Sequence, residues 1–211
     1  MELTYEQKVE RLWDIQQIKN LMGKYAYCHN AHLHMKTVEM FALEKEDIWV
    51  ECVGIGVYCG ADGIKNFFYD WHMSLEGDMK GAFNEHLLTT EVIEVAGDGK
   101  TAKAVWMSPG AETRRYKPKN ELEAIWIWGK YAIDFIKADG EWKFWHFTIT
   151  NDILCDYHHS WVEIGNATDE NVVNNGMPKP HKPNTFKPGF YNKESITALY
   201  PVPPEPYDTY E

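Results

Sequence analysis

The sequence predicts an α+β domain in which N-terminal helices pack on a strongly curved, mainly antiparallel sheet. Three observations predict it. Apolar residues recur at helical spacing as far as about residue 71, then from Phe83 the pattern changes to long runs of β-branched and aromatic residues divided by Gly-containing turns. The last ~50 residues hold most of the prolines and fit neither period. Helices first and a meander of strands afterwards is the order of an α+β fold.

Thr4 and Gln7 have capping-box spacing, and Ile15, Ile18, Met22, Tyr25 and His29 then mark one face of a helix over Tyr5–Cys28. Met35, Val38, Phe41 and Ala42 suggest a second, shorter helix. Ile64, Phe67, Phe68 and Trp71 suggest a third, after the Gly60–Gly63 turn. Short strands are expected at Asp47–Val50 and Ile55–Tyr58, and long ones at Glu85–Val95, Thr101–Ser108, Leu122–Ile136 and Trp142–Ile153. Gly97-Asp98-Gly99 and Asp139-Gly140 supply two tight hairpin turns. Pro178, Pro180, Pro183, Pro188, Pro201, Pro203, Pro204 and Pro206 keep the tail irregular. Phe186, Phe190, Tyr191, Leu199 and Tyr200 give it enough apolar surface to lie on its own domain or on a neighbouring subunit. The expected organisation is thus one domain over residues 1–157 and an irregular extension over 158–211.

A net charge of −11 excludes a phosphate backbone as partner, because nucleic-acid binding needs clustered Lys and Arg. No run of about 18 apolar residues offers a membrane span, and the N-terminus lacks the basic start and apolar stretch of a secretory signal, so a cytoplasmic location is expected. The four cysteines form no CxxC pair and no zinc-ligand spacing; they read as reduced, mostly buried residues. His32 with His34, and His158 with His159, do not place two imidazoles on one helix face, and no metal site is expected. The absence of GxGxxG, P-loop and GxSxG patterns removes the common nucleotide and serine-hydrolase readings.

Three stretches carry a family resemblance: Ile18 to Tyr27, the Gly60-Ala-Asp-Gly63-Ile segment with Glu85-His86, and Tyr131-Ala-Ile-Asp134-Phe followed by Asp139-Gly-Glu-Trp142-Lys-Phe. Together they resemble the SnoaL-like branch of the nuclear transport factor 2-like superfamily, which includes scytalone dehydratase and bile-acid 7α-dehydratase, over roughly Tyr5–Tyr157. The resemblance implies a cone of three helices on a bent sheet, enclosing an apolar cavity that works without cofactor. In those dehydratases a Tyr and an Asp near the end of the first helix and a His on the first long strand carry acid–base chemistry. Tyr25 and His86 match the Tyr and the His. Asn30 stands at the Asp position, and an amide cannot take up a proton near neutral pH.

The candidate catalytic residues are therefore His86, Tyr25, His29 and His146. His86 stands at the start of a strand and titrates in the useful range, against the alternative of a hydrogen-bonded structural histidine. His29 continues the buried face of helix one and can supply the base that Asn30 cannot, or interact with the helix C-terminus. Strict alternation places Trp142, Phe144, His146, Thr148 and Thr150 on one face of the last strand and Trp145, Phe147 and Ile149 on the other. His146 then enters the cavity or sits as a satisfied core histidine beside Trp142. The second face, with Trp126 or Trp128, forms an exposed patch that a homo-oligomer, a dimer above all, would bury. Asn30, Trp49, Tyr58, Trp71, Trp106 and Tyr131 are candidate substrate contacts.

The function expected is a cofactor-independent lyase or isomerase with dehydratase-like acid–base chemistry on a hydrophobic cyclic or aromatic molecule. Retro-aldol carbon–carbon cleavage in the same pocket needs the same proton movement. A non-catalytic ligand-binding or assembly module is the alternative from a different class, and the small subunit of a ring-hydroxylating dioxygenase a further one.

Overall fold

The computed structural model describes residues 3–75, 80–116, 121–163, 178–186 and 191–210. Pro188 and Phe190 lie outside the described residues. The first helix, α1 (Tyr5–Asn30), opens on a complete capping box: the Thr4 hydroxyl accepts from the Gln7 N–H at 3.2 Å, and the Gln7 side chain accepts from the Thr4 N–H at 2.9 Å. It runs two residues past the expected end. The chain leaves through His32, whose φ of 56° lies in the left-handed region, and the Leu33 N–H closes back on the Cys28 carbonyl at 2.8 Å. Next come α2 (His34–Val38), α3 (Gly60–Lys65), a π-helical segment (Asn66–Trp71) and α4 (His72–Leu75), the last three joined end to end. Phe41 and Ala42, expected to continue the second helix, instead bridge to Phe144 at the sheet; the Ala42 N–H donates to the Phe144 carbonyl at 2.9 Å.

The strands are β1 (Trp49–Cys52), β2 (Gly56–Cys59), β3 (Phe83–His86), β4 (Thr89–Val95), β5 (Thr101–Tyr116), β6 (Glu121–Ala138) and β7 (Glu141–Asp156). They form one sheet in the order β2-β1-β7-β6-β5-β3, with β4 also on β5; β1 and β7 are parallel and the other pairs antiparallel. The expected strand Glu85–Val95 is two strands, because the pairing on β5 breaks at Leu87–Leu88 and Thr90 takes a φ of 52°. The strand expected to stop at Ser108 continues through Pro109 and Gly110 to Tyr116. Proline is tolerated there because the Pro109 carbonyl, and so the edge from which its N–H would project, faces that same break, where it accepts from the Leu87 N–H at 3.0 Å.

One face of the sheet carries the core. Ile18, Met22 and Tyr25 of α1 and Phe68 of the π-helical segment pack with Tyr131, Ile133, Phe135, Phe144 and Phe147, all in one cluster of buried residues. Strict alternation along β7 fails at Trp145. Phe135 pairs with Phe144 and Asp134 with His146, so Trp145 is an extra residue in a bulge. The bulge moves Phe147 onto the same face as Phe144 and sends His146 to the other. Phe147 is therefore a core residue and not part of an exposed patch; Trp126 and Trp128 do remain exposed.

The outer face carries the described tail. Buried Glu51 accepts from the Thr185 N–H at 2.6 Å, the Thr185 hydroxyl at 2.7 Å and the Asn184 amide at 3.1 Å. Further on, Lys130 donates to the Tyr200 carbonyl at 3.1 Å, and Tyr210 lies on Trp145 with ring centres 4.6 Å apart. Among the described residues no helix is long and apolar enough to cross a membrane.

Candidate active site

His86 ends β3, where it faces Gly110 across the β3–β5 pairing. Its Nε2 lies 2.8 Å from Oε1 of Glu112, and both side chains are buried, 9% and 4% exposed. A carboxylate only accepts, so Nε2 is the donor of this bond and Nδ1 is the ring nitrogen turned away from Glu112. Gly110 makes room for this ring. A Cβ there would stand 2.6 Å from the Glu85 carbonyl oxygen and 3.1 Å from His86 Nδ1. From the opposite side, Oδ1 of Asn30 accepts from the His86 backbone N–H at 3.2 Å, tying the end of α1 to the strand. Asn30 thus positions His86, while the carboxylate that partners the imidazole comes from β5.

His29 lies 5.4 Å from His86 between ring centres and stacks on Tyr25 at 5.6 Å with planes 8° apart. Its Nδ1 is closed off from solvent and has no hydrogen-bond partner among the described residues. Burial, and then the neighbouring His86 and His72, hold its pKa well below the usual histidine value, with Glu112 opposing them. The ring is neutral at pH 7. The Tyr25 and Tyr131 hydroxyls share a hydrogen bond; burial pushes both phenols up, Tyr131 to about 12, so both are neutral hydrogen-bonding groups. The buried Ser108 hydroxyl lies beside Tyr131.

Of the residues expected in the site, His86, His29, Tyr25, Asn30 and Tyr131 come together. Trp71 ends the π-helical segment beside His72, ring centres 5.0 Å apart. Trp106 lies further along β5 against Phe135, and Tyr58 is buried on β2 with its hydroxyl donated to the Pro178 carbonyl at 2.6 Å, so neither is beside the His86–Glu112 pair. His146 and Trp49 are corrections. The Trp145 bulge puts His146 on the outer face, where Trp49 stacks on it at 4.9 Å, Asp134 lies 2.9 Å from Nδ1 and Tyr210 3.0 Å. His146 and His86 lie on opposite faces of the sheet.

Glu112, His72 and His34 were not anticipated. Glu112 lies past the expected end of its strand; Trp106, Ser108, Gly110 and Glu112 share one face of β5, but Ser, Gly and Glu carry no apolar alternation that would mark that face in the sequence. Among the described residues no group of three or more His, Cys, Asp or Glu side chains is arranged to hold a metal ion. His159 instead pairs with Asp156 at 2.8 Å.

A helical layer on one face of a bent mixed sheet is the nuclear transport factor 2-like fold. The chain belongs to the SnoaL-like domain family, whose model matches residues 10–148. Solved structures share the fold at low identity. A proposed scytalone dehydratase from Novosphingobium aromaticivorans DSM 12444 is 19% identical, covering 72% of this chain and 93% of its own, with a TM-score of 0.55. The hexachlorocyclohexane dehydrochlorinase LinA-type3 from Novosphingobium barchaimii LL02 is 15% identical over 71% and 93%, with a TM-score of 0.56. LinA itself gives 15%, 71%, 93% and 0.59. No curated protein matches the sequence.

Proposed function

We propose that the chain is a cofactor-independent lyase or isomerase that moves a proton on a hydrophobic cyclic or aromatic molecule, with elimination of water or another leaving group as the favoured reaction. One observation carries this reading: a buried imidazole and carboxylate 2.8 Å apart, beside a neutral imidazole whose Nδ1 has no partner among the described residues. Glu112 holds the Nε2 proton of His86, fixes the tautomer and stabilises the imidazolium that forms when Nδ1 takes a proton from carbon. The electron pair of that C–H bond becomes the new double bond, and the leaving group departs with its own pair. His29, neutral at pH 7, can hydrogen-bond the substrate oxygen through its ring nitrogen, and the Tyr25–Tyr131 pair keeps the wall polar at one point without introducing charge. Asn30 contributes by holding the backbone of His86. That neighbours in fold bear the names dehydratase and dehydrochlorinase is in keeping with this reading.

The test is proton exchange at carbon. Cyclic ketones and β-hydroxy ketones of increasing ring size, incubated with the protein in deuterated water, should gain deuterium next to the carbonyl faster than in buffer. His86→Gln should remove the gain. Binding of such ligands without exchange by the wild-type protein would favour the non-catalytic binding module, which the use of Asn30 as a backbone anchor also suits.

A further inference from the structure

The proline-rich tail ends in a fitted contact on the outer face of the sheet, away from the His86–Glu112 pair. Tyr207 and Tyr210 are half-buried there, while Asp208 and Thr209 between them are exposed. The Tyr210 hydroxyl donates to Oδ2 of Asp134 at 2.6 Å, and its ring lies 4.6 Å from that of Trp145. The Tyr207 hydroxyl lies 3.2 Å from that of Thr101. Lys103 serves both rings: its Nζ stands 5.0 Å from the centre of Tyr207 and 4.7 Å from that of Tyr210, close enough for a cation–π attraction to each. Two main-chain bonds fix the register, since the Gly97 N–H donates to the Tyr207 carbonyl at 2.9 Å and the Asp98 N–H to the Asp208 carbonyl at 3.1 Å. Gly97 leaves room for this approach; a Cβ there would stand 3.2 Å from Cα of Asp208.

The receiving side holds its shape by contacts of its own. Nδ1 of His146 lies 2.9 Å from Oδ2 of Asp134, and both Trp49 and Trp145 stack on its ring, at 4.9 and 4.2 Å. Trp145 Nε1 in turn donates to Asp47 at 2.9 Å. None of these contacts involves the tail, and a site already formed loses little binding energy to ordering. The arriving side is prepared as well: Pro201, Pro203, Pro204 and Pro206 precede the first tyrosine, and such a run is held extended without internal hydrogen bonds. Main-chain bonds that set register, with aromatic anchors that set specificity, are the parts from which peptide recognition is built.

We propose that the outer face carries a peptide-binding site, formed by Gly97, Thr101, Lys103, Asp134 and Trp145, that reads two tyrosines three residues apart. Its resident ligand is the chain's own C-terminal segment, and the same segment of a second copy offers it the same contacts. The two residues between the tyrosines are not read, because they are exposed. This site stands independently of the acid–base reading of His86 and Glu112.

The probe is a synthetic peptide of residues 201–211 with an N-terminal fluorophore, followed by fluorescence anisotropy against the full-length protein. In the wild-type chain the resident segment competes at an effective concentration on the order of millimolar, so the probe should bind weakly. Tyr207→Ser combined with Tyr210→Ser removes both anchors from the resident segment, leaves the receiving side intact and should tighten probe binding at least ~10-fold. Tyr210→Phe removes one hydroxyl only, supplies a milder second variant and should shift affinity in the same direction. Against the double variant, a probe with phenylalanine in place of Tyr210 should bind ~10-fold more weakly than the tyrosine probe, the effect of losing a hydrogen bond to a carboxylate. No gain over wild type in either folded variant, or equal binding of the two probes, overturns the site.

Discussion

Glu112 shows how a residue's role depends on where its strand runs. With Asn30 at the position of the dehydratase acid, the helix offers His86 no carboxylate; Glu112 meets it from β5 instead, and Asn30 takes the strand's backbone N–H. If this pair is the base, His86→Gln should lower turnover of an identified substrate by about 10²–10⁴, and Glu112→Gln should fall in the same direction with a smaller loss. Equal activity of Glu112→Gln and wild type in a steady-state assay would remove the carboxylate from the chemistry.

His29 makes a separate prediction about pH. Its folded pKa lies below the ordinary value of about 6.5, so between the two values the unfolded chain binds more protons than the folded one. The corresponding stability is present above about 6.5 and is lost as pH falls through the folded value. His29→Phe retains a ring against Tyr25 and removes the titration. Melting temperatures measured from pH 7.5 down to 5 should therefore fall less steeply in the variant than in wild type; parallel curves would mean that His29 is not held neutral by its surroundings.

At the scale of elements, the site depends on β5 continuing through Pro109-Gly110 and on β7 bulging at Trp145. Gly110 has its ordinary backbone range; what it supplies is space, since a Cβ would press on a backbone oxygen at 2.6 Å and on His86 Nδ1 at 3.1 Å. Gly110→Ala should cost about 1–3 kcal/mol in urea denaturation and displace the imidazole from Glu112. A crystal structure of the variant with His86 unmoved would contradict this. The same two places explain where the sequence was legible. The capping box, the periodicity of α1 and the Gly turns are local, and each stands where its spacing predicts. A proline followed by a glycine reads as a strand end, and only the break between β3 and β4 makes it harmless. An inserted residue inverts every later side chain, which is why alternation assigned His146 to the cavity and Phe147 to the outside.

Across the whole molecule, the described tail ties distant strands together on the outer face. Glu51 is 1% exposed and takes its described donors from Asn184 and Thr185, more than 130 residues further along the chain. A buried carboxylate is tolerated when its oxygens are satisfied. Thr185→Val removes the 2.7 Å hydroxyl bond and should destabilise the protein by about 1.5–3 kcal/mol in chemical denaturation, the range for hydrogen bonds to charged groups. No loss would mean that the backbone N–H and the Asn184 amide suffice.

By itself the sequence determined what depends on local spacing and composition: an acidic chain, helices before a meander of strands, and His86, Tyr25 and His29 as residues able to handle a proton. Tertiary structure decided which of them meet. Glu112 reaches His86 from a strand position 26 residues further along the chain, and His146 is turned away by one extra residue in β7. The physical reason is that periodicity reports the face a side chain occupies only while the period holds, whereas breaks, bulges and long-range pairing are settled by the packing of the sheet as a whole.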